Sequence, residues 1–122
     1  MNINDYLEKQ YPNPPCWALV ADVYEAELGL GVQEYRTVNN SIRSIAAAFR
    51  LNLYKGEHGF EQVDEPTDYT VVMLSRQPKL GMHHCGIYFD GKVLHALPDG
   101  NLYQDVASLR DTYPVIEFWR RP

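Results

Sequence analysis

Three residues have the types and spacing for nucleophilic and proton-transfer chemistry: Cys16, His84 and His95. Cys16 follows Pro15, a residue suited to the first position of a helix, and precedes an apolar run. A cysteine in the opening turn of a helix meets unpaired backbone N–H groups and the positive end of the helix dipole. Both favour the thiolate, the form that attacks. Alone, such a cysteine is as readily a small packing residue as a nucleophile. The two histidines change that balance, because an adjacent base is what activates a thiol.

The histidines lie in HCGIYF and KVLHAL, two apolar runs separated by Asp90-Gly91. Asp-Gly between such runs is the signature of a two-residue hairpin turn. That turn sets Phe89 opposite Lys92, Tyr88 opposite Val93, Ile87 opposite Leu94, Gly86 opposite His95 and Cys85 opposite Ala96. Side chains alternate between faces along a strand. His84, Gly86 and Tyr88 therefore share a face with Val93, His95 and Leu97. His84 and His95 become diagonal neighbours, roughly 7–8 Å apart at the backbone and within side-chain reach. One ring can then orient the other as a base. Gly86 is expected to leave open space opposite His95. Cys85, Ile87, Phe89, Leu94 and Ala96 form the opposite, apolar face and read as core. Cys85 points away from both histidines and reads as structural, which leaves Cys16 as the nucleophile. A helix whose N-terminus packs against the histidine face would complete a Cys-His-His set. Without function, the same histidines would be a polar row on a half-exposed sheet.

Other candidates carry less. His83 sits at the strand edge or in the loop before it, where it can reach a bound substrate. His58 falls in a Gly-rich acidic loop and is given no role. Zinc held by Cys16, His84 and His95 is weighed against the absence of any Cys-x-x-Cys or His-Glu-x-x-His spacing, and no metal or other cofactor is expected. Cys16 and Cys85 are far apart in sequence, and a disulfide is not expected in a chain without an export signal.

The elements that must position these residues follow from pattern. Residues 2 to 10 could form a short helix, which YPNPP ends. The next helix begins at Pro15 and runs to Leu28, with Leu19, Val20, Val23, Tyr24 and Leu28 at helical spacing and Gly29 and Gly31 as the stop. A further helix is expected from Ser41 over SIRSIAAAFRLNL. YKGEHGFEQVDEPTD reads as a loop with a short strand. TVVML, near Tyr69, is a buried strand. The tail supplies a strand at NLYQ, a turn of helix at VASLRDTY and a last strand at PVIEFW. Helices first and strands afterwards give an α+β chain, a single domain over 1–122, with N-terminal helices packed on an antiparallel sheet.

Composition bounds the partners. The 122 residues, 45% hydrophobic and 22% charged, suit one folded domain. A net charge of -5 excludes the basic footprint of a nucleic-acid binder. No run is long and apolar enough for a membrane span, and the N-terminus lacks the apolar core of a secretory signal. The chain is expected to be cytoplasmic when synthesised.

CWALVADVY from Cys16, HCGIY from His84 and VLHA from Val93 together resemble the NlpC family of papain-like cell-wall cysteine peptidases. That family pairs a cysteine opening an apolar helix with His-x-Gly-Ile-Tyr on one strand and an apolar-apolar-His-Ala strand after a turn. The resemblance spans residues 11 to 97. It implies a papain-like fold, Cys16 as nucleophile, His84 as base and His95 as third member. It implies hydrolysis of amide bonds in bacterial peptidoglycan stem peptides. Tyr11, with Tyr6 as the fallback, matches the family's substrate-binding tyrosine, and Trp17 and His83 flank the reacting pair. Pro15, Trp17 and Ala18 stand where the family has Asp, Ser and Gly. Pro15 has no N–H, so the oxyanion donor falls to the Cys16 N–H. The Cys-Trp pair, ELGLGVQEY and the stretch from His95 to Arg120 resemble a narrower group in phages and prophages, tail-tip assembly proteins of the lambda K type. That group implies phage tail proteins as partners and the virion tail as a destination. Against these stand a non-catalytic tail scaffold with the same fold and an amidase or acyltransferase acting on another substrate. An acidic domain repels anionic polymers, so a wall substrate would be recognised locally.

Overall fold

A computed structural model describes residues 1–12, 15–32, 46–47 and 59–121. Its helices are α1 (Ile3–Leu7), α2 (Pro15–Leu28) and α3 (Val106–Thr112). Its strands are β1 (Glu61–Val63), β2 (Val71–Ser75), β3 (His84–Phe89), β4 (Lys92–Leu97), β5 (Gly100–Gln104) and β6 (Val115–Arg120). The strands form one sheet in the order β1-β6-β2-β3-β4-β5, each neighbouring pair antiparallel. The architecture is α+β, as the order of patterns predicts. No helix among the described residues is long and apolar enough to cross a membrane.

Two apolar layers fix which side of the sheet each element covers. On one side, Cys16, Trp17, Leu19, Val20, Val23 and Tyr24 of α2 pack with Val71, Met73, Cys85, Ile87, Leu94 and Ala96. On the other, Leu109 and Tyr113, within and just after α3, cover Val72, Leu74 and Val93. Asp105 starts α3 by accepting the Ser108 N–H at 2.8 Å, an N-cap that ends β5 at Gln104. At the far end of α2, Gly29 takes φ 64° and the Leu30 N–H turns back to the Tyr24 carbonyl.

The β3–β4 turn is as the sequence predicts. Asp90 and Gly91 both take positive φ, 48° and 85°, the conformation of a type I′ turn. Ile87 pairs with Leu94, Tyr88 with Val93 and Phe89 with Lys92. Beyond Ile87 the expectation fails, because the ladder stops there and Gly86–His95 and Cys85–Ala96 are not paired. Gly86 does not leave open space either. A Cβ at that position would stand 2.6 Å from the Leu94 carbonyl oxygen and 2.9 Å from the His95 Cβ. The glycine permits a close approach of β4 to β3. The first helix is shorter than 2 to 10. The helix expected from Ser41, like His58, lies outside the described residues apart from residues 46–47.

Candidate active site

Cys16 is the second residue of α2, where a backbone N–H has no acceptor within the helix. The helix lies on the Cys85 side of the sheet, which corrects the expectation that it packs on the histidine face. Cys16 nevertheless meets both Cys85 and His84. Its thiol interacts electrostatically with both, and each favours its ionised form. Tyr88 exchanges its backbone bonds with the β2 side, at Tyr69 and Thr70. By alternation, Cys85 turns its N–H toward β4, beyond the last β3–β4 pair at Ile87.

These contacts hold the Cys16 thiol well below its ordinary pKa. The hydrogen bond from Cys85 is the largest cause, burial opposes it, and His84 lowers the value further through a hydrogen bond and its charge. Burial, followed by the neighbouring Cys16, pushes the Cys85 thiol the other way, well above the ordinary range. The two directions favour ionisation at Cys16, the thiol at the helix start, over Cys85.

The histidines meet as their register predicts. His84 Nε2 lies 2.9 Å from His95 Nδ1. The rings cross edge to face at 78° with centroids 5.1 Å apart. His84 Nδ1 is the nitrogen left for Cys16. Tyr113 lies flat against the other side of His84, with centroids 5.2 Å apart at 19°, and limits the ring to one plane. His95 is 1% exposed. Burial, with repulsion from His84, lowers its pKa to about 4, against a smaller upward pull from Gln104. At neutral pH His95 is uncharged.

Gln104 is the residue the sequence reading missed. Its Oε1 lies 2.8 Å from His95 Nε2. The signal was present in Asp99-Gly100, a second turn after KVLHAL. That turn folds NLYQ back along β4, pairing His95 with Leu102 and Val93 with Gln104. Gln104 thereby shares the face of Val93 and His95, one diagonal step from the histidine.

The remaining predicted residues make their described contacts elsewhere, with His83 still within electrostatic reach of Cys16. Trp17 is 2% exposed and packs edge-on against Phe60, with centroids 6.1 Å apart, so it belongs to the core. His83 Nε2 accepts the Arg76 N–H at 2.9 Å, and its ring packs on Tyr113. It secures the entry to β3. The Tyr6 hydroxyl donates to Glu27 at 2.8 Å and the Tyr11 hydroxyl to Asp22 at 2.7 Å. At a helical rise of 1.5 Å per residue, Asp22 lies roughly 9 Å and Glu27 roughly 16 Å along the axis from Cys16. Tyr11, Ala18, Asp22 and Glu25 line a cavity of about 560 Å³ on that flank.

Among the described residues, no group of three or more His, Cys, Asp or Glu side chains is arranged to hold a metal ion. The facing nitrogens of His84 and His95 are directed at each other. No protein-family model, curated protein or solved structure matches the chain.

Proposed function

We propose that the protein is a cysteine hydrolase of the papain-like NlpC type that cuts amide bonds in peptidoglycan stem peptides. The observation that carries this reading is the hydrogen-bonded chain His84–His95–Gln104, with 2.9 Å between the two histidines and 2.8 Å from His95 to Gln104, beside a Cys16 thiol whose ionised form His84 favours. A nucleophile, a base in contact with it and a group that orients the base are the minimum for acyl transfer through a thioester.

His84 Nδ1 takes the thiol proton while its Nε2–H remains directed at His95. The Cys16 thiolate attacks the amide carbonyl, and the Cys16 N–H at the helix start faces the developing oxyanion. The C–N bond breaks as His84 returns the proton to the leaving amine. Water, deprotonated by His84, then cleaves the thioester and frees the carboxylate. In the recess at Tyr11, Asp22 is already paired with Lys9 at 2.9 Å, and Glu25 supplies the carboxylate suited to an ammonium group of a peptide substrate. The wider setting in this reading is a phage or prophage tail that carries the domain to the wall.

A second reading, a tail-assembly scaffold with no catalysis, is favoured by one observation: Cys16 is only 3% exposed. The pH dependence of Cys16 alkylation by iodoacetamide separates the two, with Cys85→Ser as background. For the hydrolase, Cys16 reacts well below the pH of a free thiol and loses that reactivity in His84→Ala, and wall-peptide fragments are cut. Ordinary thiol titration that ignores His84 refutes the hydrolase.

A further inference from the structure

Tyr113 has no step in this chemistry, yet its ring lies flat on the base, with centroids 5.2 Å apart and planes at 19°. A short run of constraints puts it there. Tyr113 ends α3 by donating its N–H to the Leu109 carbonyl at 2.7 Å. Pro114 follows, and a proline disfavours the helical conformation in the residue before it. Tyr113 accordingly takes φ -124° and ψ 85°, and the chain enters β6 at Val115. Ile116 of β6 pairs with Leu74, which pairs on its other side with His84. The tyrosine ring, 6% exposed, closes the apolar layer of Val72, Leu74, Val93 and Leu109. A second ring steadies it. His83 packs on Tyr113 with centroids 5.9 Å apart, and His83 is itself tied to the Arg76 N–H at 2.9 Å. His84 needs such a wall. The last torsion of a histidine side chain has a broad profile, so one hydrogen bond to His95 leaves the ring free to tilt about it.

We propose that Tyr113 is a positioning residue for the His84 base: its ring face, and not its hydroxyl, holds the imidazole in the plane that keeps Nε2 at 2.9 Å from His95 Nδ1 and leaves Nδ1 for Cys16. The proposal rests on His84 serving as the base of Cys16. The two apolar layers then each supply one part of the site. The layer under α2 brings the thiol, and the layer under α3 fixes the ring that acts on it. A leucine at position 113 would keep that layer apolar but offer no flat wall. An aromatic pair shifts an equilibrium by about 2- to 13-fold beyond the area it buries. That is the range over which the correctly oriented base should fall when the ring is removed.

The test compares Tyr113→Phe, which keeps the ring face, with Tyr113→Leu, which removes it, in the full chain. Nitrogen-15 shifts of the His84 ring read its tautomer. Iodoacetamide alkylation of Cys16 across pH reads the consequence at sulfur. Tyr113→Phe should match the wild type in both. Tyr113→Leu should draw the two His84 nitrogen shifts toward each other, slow alkylation at neutral pH by about 2- to 13-fold and move its acid limb upward. Leu109→Ala weakens the same apolar layer but leaves the ring, so it should lower the urea midpoint and keep the His84 shifts. Wild-type shifts and alkylation in Tyr113→Leu overturn the proposal. So does a Tyr113→Phe variant that loses as much as Tyr113→Leu, and so do His84 shifts that move as far in Leu109→Ala. If Tyr113→Leu does not fold, nuclear Overhauser contacts between the Tyr113 and His84 rings decide. Their presence in the wild type and in Tyr113→Phe supports the proposal, and their absence overturns it. Because the ring is read by its own nitrogen shifts, a wild-type Cys16 that titrates as an ordinary thiol counts against the hydrolase alone.

Discussion

Gln104→Glu tests the direction of the proton path with an almost isosteric change. In the wild type, Gln104 Oε1 accepts from His95 Nε2–H. His95 Nδ1 is then a lone pair and accepts from His84 Nε2–H, which leaves His84 Nδ1 for the thiol. A carboxylate at the same 2.8 Å favours the charged form of His95. An opposite charge at that range shifts a pKa by about 1–3 units, or roughly 1.4–4 kcal/mol. His95, near 4 in the wild type, should rise to between about 5 and 7. A protonated His95 turns an Nδ1–H toward His84 Nε2–H, and the two donors repel. His84 can no longer carry both protons, and the Cys16 thiolate loses its partner. The acid limb of Cys16 alkylation should therefore move up by about 1–3 pH units in the variant, while its rate at high pH stays near wild type. Nitrogen-15 shifts of the His95 ring should report the same midpoint. An unchanged acid limb, or a downward shift, would mean that Gln104 does not accept from His95 and that the path runs the other way.

Two further outcomes follow from the same geometry. Gly86→Ala places a Cβ against the Leu94 carbonyl oxygen, a backbone atom that moves only if β4 moves. The variant should lose about 1–3 kcal/mol in urea unfolding, and its Cys16 reactivity should fall as His95 shifts; wild-type values in both assays would refute the close approach. Acid should destabilise the fold through His95. Its folded pKa, about 4, lies below the ordinary 6.5, so between these values the unfolded chain binds more protons. Its contribution is complete above pH 6.5 and is lost toward pH 4, worth roughly 3 kcal/mol for this nearly fully buried ring. The urea midpoint should fall over that window in the wild type and fall less in His95→Asn.

The hairpin was legible because its turn chemistry and its apolar alternation agree. Asp90-Gly91 sets the register as far as Ile87–Leu94, and alternation along the two strands from there puts His84 and His95 on one face. The chemistry of Cys16 does not choose the face that α2 covers. Burial chooses it. Leu19, Val20, Val23 and Tyr24 are each at most 1% exposed, and burying an aliphatic side chain of that size is worth about 1.5–3 kcal/mol. Only the apolar side of β3 and β4, with Cys85, Ile87, Leu94 and Ala96, offers matching area. The same alternation that identified this face as core already required the helix to cover it. Cys16 and the histidines therefore lie on opposite sides of the sheet in the packing sense. They meet because His84 begins β3, Cys16 begins α2, and the β3–β4 ladder opens at that end. What the sequence could not supply was the end of the ladder. Gly86 reads as room for a side chain, whereas it is where β4 closes in. A site made at the edge of two faces, rather than on either, needs this break in pairing, and the residue that marks it is a glycine between a histidine and its partner.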